Sequence, residues 1–246
     1  MLIAQLPEVN SIYVMPSGSD ESLSIGACLY RYYQKSEKVN FEQSVLTDLY
    51  FGGMASRQDE RLAVESATAC GEFDVKEPAN INDSITEALV NDQVVATCRG
   101  RMEWGARSLG NRSILAKADD FRTVDKINSM IKMRDFWMPF APSLLAETAG
   151  EYINDEKDQK PWFMTFAFPV QKNGYAHLAA GSHPRDRTIR PQVVRKVANP
   201  NFHDVLSSFR ERTGRGAVLN TSFNLHGEPI VYRPSEAIDV FRRSGL

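Results

Sequence analysis

The chain has 246 residues, 42% of them hydrophobic and 24% charged, with a formal net charge of −2. That length suits one large domain, or a domain plus a fragment of another, and the charge balance excludes a global electrostatic pull toward nucleic acid. No apolar run approaches a membrane span, MLIAQLPEVN lacks the basic-then-apolar form of a signal peptide, and Cys28, Cys70 and Cys98 form no CxxC pair, so free thiols in a reducing, cytoplasmic setting are expected.

In chain order, Ile12-Tyr13-Val14 reads as a short strand, PSGSD as a turn, and Ser22 to Tyr33, rich in small and apolar residues, as a packed helix. Residues 36–82 are more polar and carry two modest helical patterns, 41–50 and 57–69, before a linker over 70–82. A new unit is expected from Asp83, with Asp83 or Ser84 capping a helix over Ile85, Ala88 and Leu89. Val94-Val95-Ala96-Thr97 reads as a buried strand and residues 99–112 as a Gly- and Arg-rich loop. Val124, Ile127 and Ile131 have helical spacing, and Trp162 to Val170 reads as an aromatic strand. Phe202, Val205, Leu206 and Phe209 form one helical face, closed by Gly214. Ala217 to Leu219 and Ile230 to Tyr232 read as strands, and a last helix, begun by Pro234-Ser235, would turn Ala237, Ile238 and Phe241 inward. Strands and helices alternate without strict βαβ spacing, so the expected fold class is α/β or α+β with a mixed sheet.

The loop RGRMEWGARSLGNR places Arg99, Arg101, Arg107 and Arg112 beside a single acid, Glu103, with three glycines. Guanidinium forks fit phosphate and carboxylate, and glycines allow close backbone approach, so the loop suggests an anion site. A merely solvated basic loop would not need Trp104 and Leu109. Lys132 and Arg134 would point apart in a continuing helix and share a face in extended backbone. Pro139 and Pro142 end the helix nearby, yet spacing alone does not choose between two cations aimed at one point and two surface charges at a helix end. Asn220, Thr221, Ser222 and Asn224 are either ligand-orienting groups or a turn bonded to its own backbone, with His226 a turn residue. His177, His183, His203 and His226 lack i,i+3 or i,i+4 spacing, so no zinc site is expected from this chain alone.

Four stretches, GRMEWGARSLGNRSILA, IKMRDFWMPFAPS, TIRPQ and VLNTSFNLHGEPIV, together resemble the NodU/CmcH O-carbamoyltransferases, whose patterns read approximately GRMEFGPRALGNRSILA, IKxRExFRPFAPS, TARxQ and LLNTSFNxxGEPIV in the same order. The resemblance implies a YrdC-like domain over 83–246, a twisted mixed sheet with flanking helices. It implies a K-x-R…S-x-N tetrad at Lys132, Arg134, Ser222 and Asn224 in a catalytic cavity, with Arg101, Arg107, Asn111, Arg112, Arg190 and Asn220 as further ligand-binding residues. Residues 18–29 are similar to the last piece of that family's actin/hexokinase-like domain, so 1–35 reads as its stub and 36–82 as a helical linker. Asp20 matches an aspartate that helps hold a divalent metal when the rest of that domain is present. Ala106 replaces a family proline, and Trp137-Met138 removes a family arginine.

The implied chemistry uses ATP with Mg2+ and carbamoyl phosphate to form carbamoyl-adenylate, for transfer to a small-molecule hydroxyl bound in the N-terminal domain. No membrane or nucleic-acid partner is expected. A threonylcarbamoyl-adenylate synthase of the same fold, a non-catalytic nucleic-acid module and a degenerate domain that only packs on a partner are the alternatives.

Overall fold

A computed structural model describes residues 2–36, 45–135 and 138–246. Its centre is a five-stranded mixed sheet in the order β1-β2-β7-β3-β6, where β1 is Val95–Cys98, β2 Arg112–Lys117, β3 Ala141–Leu145, β6 Gln192–Val194 and β7 Ala217–Ser222. All neighbours are antiparallel except β3 and β6, which run parallel. A two-stranded ribbon joins β4, Phe168–Pro169, to β5, Thr188–Ile189.

Strand alternation sends successive side chains to opposite faces. Ile114, Ala116, Leu144, Ala217 and Leu219 enter one core, with Val124 and Ile127 of α5 (Phe121–Ile127) and Ala237 and Val240 of α8 (Pro234–Arg243). Leu115, Leu145 and Val218 face the other, covered by α4 (Ile81–Val90) and α7 (Pro200–Thr213). The Phe202, Val205, Leu206 and Phe209 face of α7 is buried as its spacing predicts, and Gly214 closes the helix in the left-handed conformation. The mixed α/β class is therefore as expected.

Several local expectations are corrected. Ile12-Tyr13-Val14 and Ile230-Tyr232 are not strands, and the aromatic run 162–170 contributes only the two residues of β4, paired with β5. The helix α2, Glu21–Lys35, forms but buries no residue, so its apolar content does not pack. Within 41–50, residues 41–44 lie outside the described residues and 45–50 are not helical. The helix α3, Arg57–Cys70, forms with a capping box at Ser56 and Asp59. The cap of α4 is Asn80, three residues before the expected one, and Asp83 instead sits in the first turn, where the helix dipole favours an acid. In α8 the inward residues are Ala237 and Val240, while Phe241 stays 39% exposed and meets the Phe73 ring at 5.7 Å. Among the described residues no helix is long and apolar enough to cross a membrane.

Candidate anion-binding site

The helix α5 does not simply stop at the expected proline signal. It widens into a π turn over Asn128–Lys132, closed by the Met133 N–H donating to the Asn128 carbonyl at 2.9 Å. Met133 then takes the left-handed conformation, φ +47°, with its side chain 78% exposed. Such a conformation is uncommon for a residue other than glycine and marks a backbone held in place by its surroundings. The kink turns Lys132 inward, where it is 2% exposed, and sends Arg134 to the neighbouring pocket.

Lys132 Nζ donates to Asn224 Oδ1 at 2.7 Å, Ser222 Oγ at 3.1 Å and the Asn224 carbonyl at 3.2 Å, and the Ser222 hydroxyl donates to Asn224 Oδ1 at 2.6 Å. Lys132 thus meets Ser222 and Asn224 across some ninety positions. All three ammonium donors are spent inside the protein, so Lys132 and Asn224 stand behind the pocket wall while Ser222 and Arg134 line it. Burial, then the charge of Arg134, pushes the Lys132 ammonium down to about 7.

The pocket is small, with a cavity volume of about 50 Å³, and is lined by Arg107, Arg134 and Arg190 together with Ser108, Asn220, Thr221 and Ser222. No acid lines it. Burial, then Arg190 and Arg134, lowers the pKa of Arg107; burial, then Arg190, lowers that of Arg134. Three guanidinium groups that repel one another across a polar pocket offer bidentate donors to phosphate or carboxylate. The Arg134 guanidinium also stacks 5.5 Å from the Phe140 ring centroid. Of the preceding departures from the family pattern, Ala106 lines the pocket, Met138 is 37% exposed, and Trp137 lies outside the described residues.

Three expected ligand contacts are instead scaffold. Arg101 is exposed and donates to the Phe51 carbonyl at 3.0 Å and the Gly52 carbonyl at 3.1 Å. Arg112 is 1% exposed and donates to the carbonyls of Arg99 at 2.6 Å and Tyr232 at 3.1 Å. The Asn111 amide donates to the Arg101 carbonyl at 2.7 Å and accepts from Asn199 at 3.0 Å. None of the three lines the pocket. Asn111 and Arg112 satisfy carbonyls that the inward-folded loop takes out of water, and Arg101 bonds two carbonyls at the surface.

The loop folds inward around Glu103, which its sequence surroundings do not single out. Glu103 Oε1 accepts from the backbone N–H groups of Leu109 at 2.6 Å, Asn111 at 2.8 Å and Arg112 at 3.3 Å. The amides expected to face a ligand are therefore occupied by an internal carboxylate. Gly110, at φ +113°, lies so close to Phe202 that a Cβ would stand 2.3 Å from its ring, which explains glycine there. Beneath the pocket, Asn220 Nδ2 donates to Ser143 Oγ at 3.0 Å and Gln192 Oε1 at 3.0 Å, and Ser108 donates to Asn220 Oδ1 at 3.3 Å. Gln192 and Ser143 were not singled out by the sequence, although Gln192 closes the TIRPQ stretch.

Asp20 is exposed at the start of α2 and makes no side-chain cap, and no group of three or more His, Cys, Asp or Glu side chains among the described residues could hold a metal ion. The described donor set does not fit a resident metal.

Nodulation protein NolO of Bradyrhizobium diazoefficiens is 35% identical over 240 residues, covering 96% of this chain and 43% of that protein. The 3'-hydroxymethylcephem-O-carbamoyltransferase of Amycolatopsis lactamdurans is 30% identical over 237 residues, covering 96% of this chain and 42% of that enzyme. The chain thus spans less than half the length of these relatives. The solved structure of full-length HypF in its phosphate- and nucleotide-bound form overlaps 68% of this chain and 20% of that one, with a TM-score of 0.46 and 14% identity, too slight a likeness to carry an argument. The carbamoyltransferase C-terminus family model matches residues 86–246, which include every residue lining the arginine pocket as well as Lys132 and Asn224 behind it, and the chain belongs to that family.

Proposed function

We propose that this chain carries the nucleotide- and carbamoyl-phosphate-handling part of an O-carbamoyltransferase. The observation that supports this most is the convergence of Arg107, Arg134 and Arg190 on one acid-free pocket whose far wall is the Lys132–Ser222–Asn224 cluster. Polyphosphate and carbamoyl phosphate are the anions such a pocket suits.

In this reading, water cleaves the P–O bond of carbamoyl phosphate, releasing phosphate and leaving carbamate. A carbamate oxygen attacks the α-phosphorus of ATP, and the bond from that phosphorus to the β-phosphate bridging oxygen breaks. Carbamoyl-adenylate and pyrophosphate result, and a substrate hydroxyl later takes the carbamoyl group and releases AMP. Arg107, Arg134 and Arg190 neutralise charge on the phosphates and stabilise what develops on the leaving oxygen. Lys132 holds Ser222 and Asn224 and, when protonated, adds positive charge behind them. Mg2+ would enter on the nucleotide, since the described residues offer no cage for it. The three free cysteines suit a reducing, cytoplasmic setting.

Exchange of labelled pyrophosphate into ATP tests this reading, because it needs only adenylate formation. The protein is expected to catalyse exchange when carbamoyl phosphate is present and not when it is omitted. Exchange that ignores carbamoyl phosphate and follows threonine with bicarbonate would point to a threonylcarbamoyl-adenylate synthase instead.

A further inference from the structure

The turn that carries Arg107 is gripped from three sides, and the grip converges on Leu109. Its N–H donates to Glu103, while its carbonyl accepts from the Tyr50 hydroxyl at 2.9 Å and from the Gln192 amide at 2.9 Å. Tyr50 belongs to a strap that runs antiparallel to the arginine loop. The Gly52 N–H donates to the Met102 carbonyl at 2.9 Å, the Met102 N–H to the Gly53 carbonyl at 3.0 Å, and the Trp104 N–H to the Leu49 carbonyl at 2.7 Å. The Asn199 amide, at the start of α7, donates to both the Tyr50 hydroxyl and Asn111 Oδ1, each at 3.0 Å.

Tyr50 does not line the pocket, yet Ser108 and Arg107, the two residues before Leu109, do. Immediately after Leu109 comes Gly110, the residue best able to let the turn pivot. A buried carbonyl held by two donors fixes the orientation of that peptide plane; one donor leaves it free to rotate about the other. Burial raises the Tyr50 phenol, so it remains a donor across the physiological range.

We propose that Tyr50 is a positioning residue, whose hydroxyl acts with Gln192 on the Leu109 carbonyl to hold Arg107 and Ser108 in the pocket. This rests on the anion-binding reading of that pocket. It assigns the strap a part in ligand binding without contact to the ligand.

The test is a double-mutant cycle on the full chain, with inorganic pyrophosphate as probe and calorimetry at fixed pH and ionic strength. Tyr50→Phe keeps the ring and removes the hydroxyl. It is expected to weaken pyrophosphate binding roughly fivefold to tenfold, the loss that one buried hydrogen bond carries. In an Arg107→Ala background the same change is expected to do almost nothing, because Tyr50 acts through Arg107. Amide exchange at Leu109 to Arg112 is expected to quicken in Tyr50→Phe, with cooperative thermal unfolding retained. Equal losses with and without Arg107 would overturn the proposal, since they mean general loosening. So would a Tyr50→Phe protein that binds like the wild type while Arg107→Ala binds weakly. If Arg107→Ala itself binds pyrophosphate normally, the pocket reading fails first and Tyr50 with it.

Discussion

Replacing Arg134 by alanine is expected to slow carbamoyl-phosphate-dependent pyrophosphate exchange by about a hundredfold, whereas replacing Arg101 is expected to change it by no more than about threefold. Both are arginines of the motifs, and the resemblance places both at the ligand. The structure separates them: Arg134 is half-buried in an acid-free pocket beside Arg107 and Arg190, and Arg101 caps two carbonyls at the surface. Losing a fixed cation where phosphate charge develops costs about 3 kcal/mol, or about two powers of ten in rate. Losing a surface bond to a carbonyl costs far less, because water replaces it. Arg134→Lys is expected to fall between, since it keeps charge and loses the planar fork. Steady-state exchange rates of the three variants check this, and equal effects of Arg101→Ala and Arg134→Ala would refute the separation.

Binding of sulfate, which does not titrate near neutrality, is expected to weaken as pH rises above about 7. Burial and Arg134 hold Lys132 near that value in the free protein, against 10.5 unperturbed. A bound anion favours the charged ammonium and raises its pKa, so above 7 each binding event must take up a proton. Linkage then gives a loss of about tenfold in affinity per pH unit until the pKa of the complex is reached. The sign for folding is opposite. With the folded pKa below the unfolded one, the native chain sheds the proton first, so Lys132 contributes increasing stability as pH climbs from about 7 toward 10.5. Lys132→Met is expected to bind sulfate weakly at pH 6 and with little pH dependence. A slope in that variant equal to the wild type would place the titrating group elsewhere. Calorimetry from pH 6 to 9 at constant ionic strength reads both.

What could be read from the sequence, and what could not, follows from how local each signal is. The buried face of α7 and the apolar run of β7 depend on periodicity within a few residues, and both formed as read. The meeting of Lys132 with Ser222 and Asn224 is not local, and it was legible only through the motif resemblance. The strand β2 was hidden because RSILAK follows directly on the glycine-rich loop, and its partner β7 comes from a distant segment. Conversely, Ile12-Tyr13-Val14 has the apolar content of a strand and is not one. The fate of the four loop arginines depended on which carbonyls the fold would bury. Glu103 decides that by gathering the amides of Leu109, Asn111 and Arg112, and a lone acid among arginines reads in sequence merely as a neutralising charge. Tyr50 lay at the end of the 41–50 pattern, read as helical within a polar helical linker, although it is bonded to Leu109, fifty-nine positions away.

A crystal structure of the protein with a non-hydrolysable ATP analogue and carbamoyl phosphate tests the central claim most directly. The expected result is phosphate density between Arg107, Arg134 and Arg190, within hydrogen-bonding distance of Ser222, with Lys132 still bonded to Asn224. Phosphates bound elsewhere, with the three arginines turned to solvent or paired with acids, would contradict it.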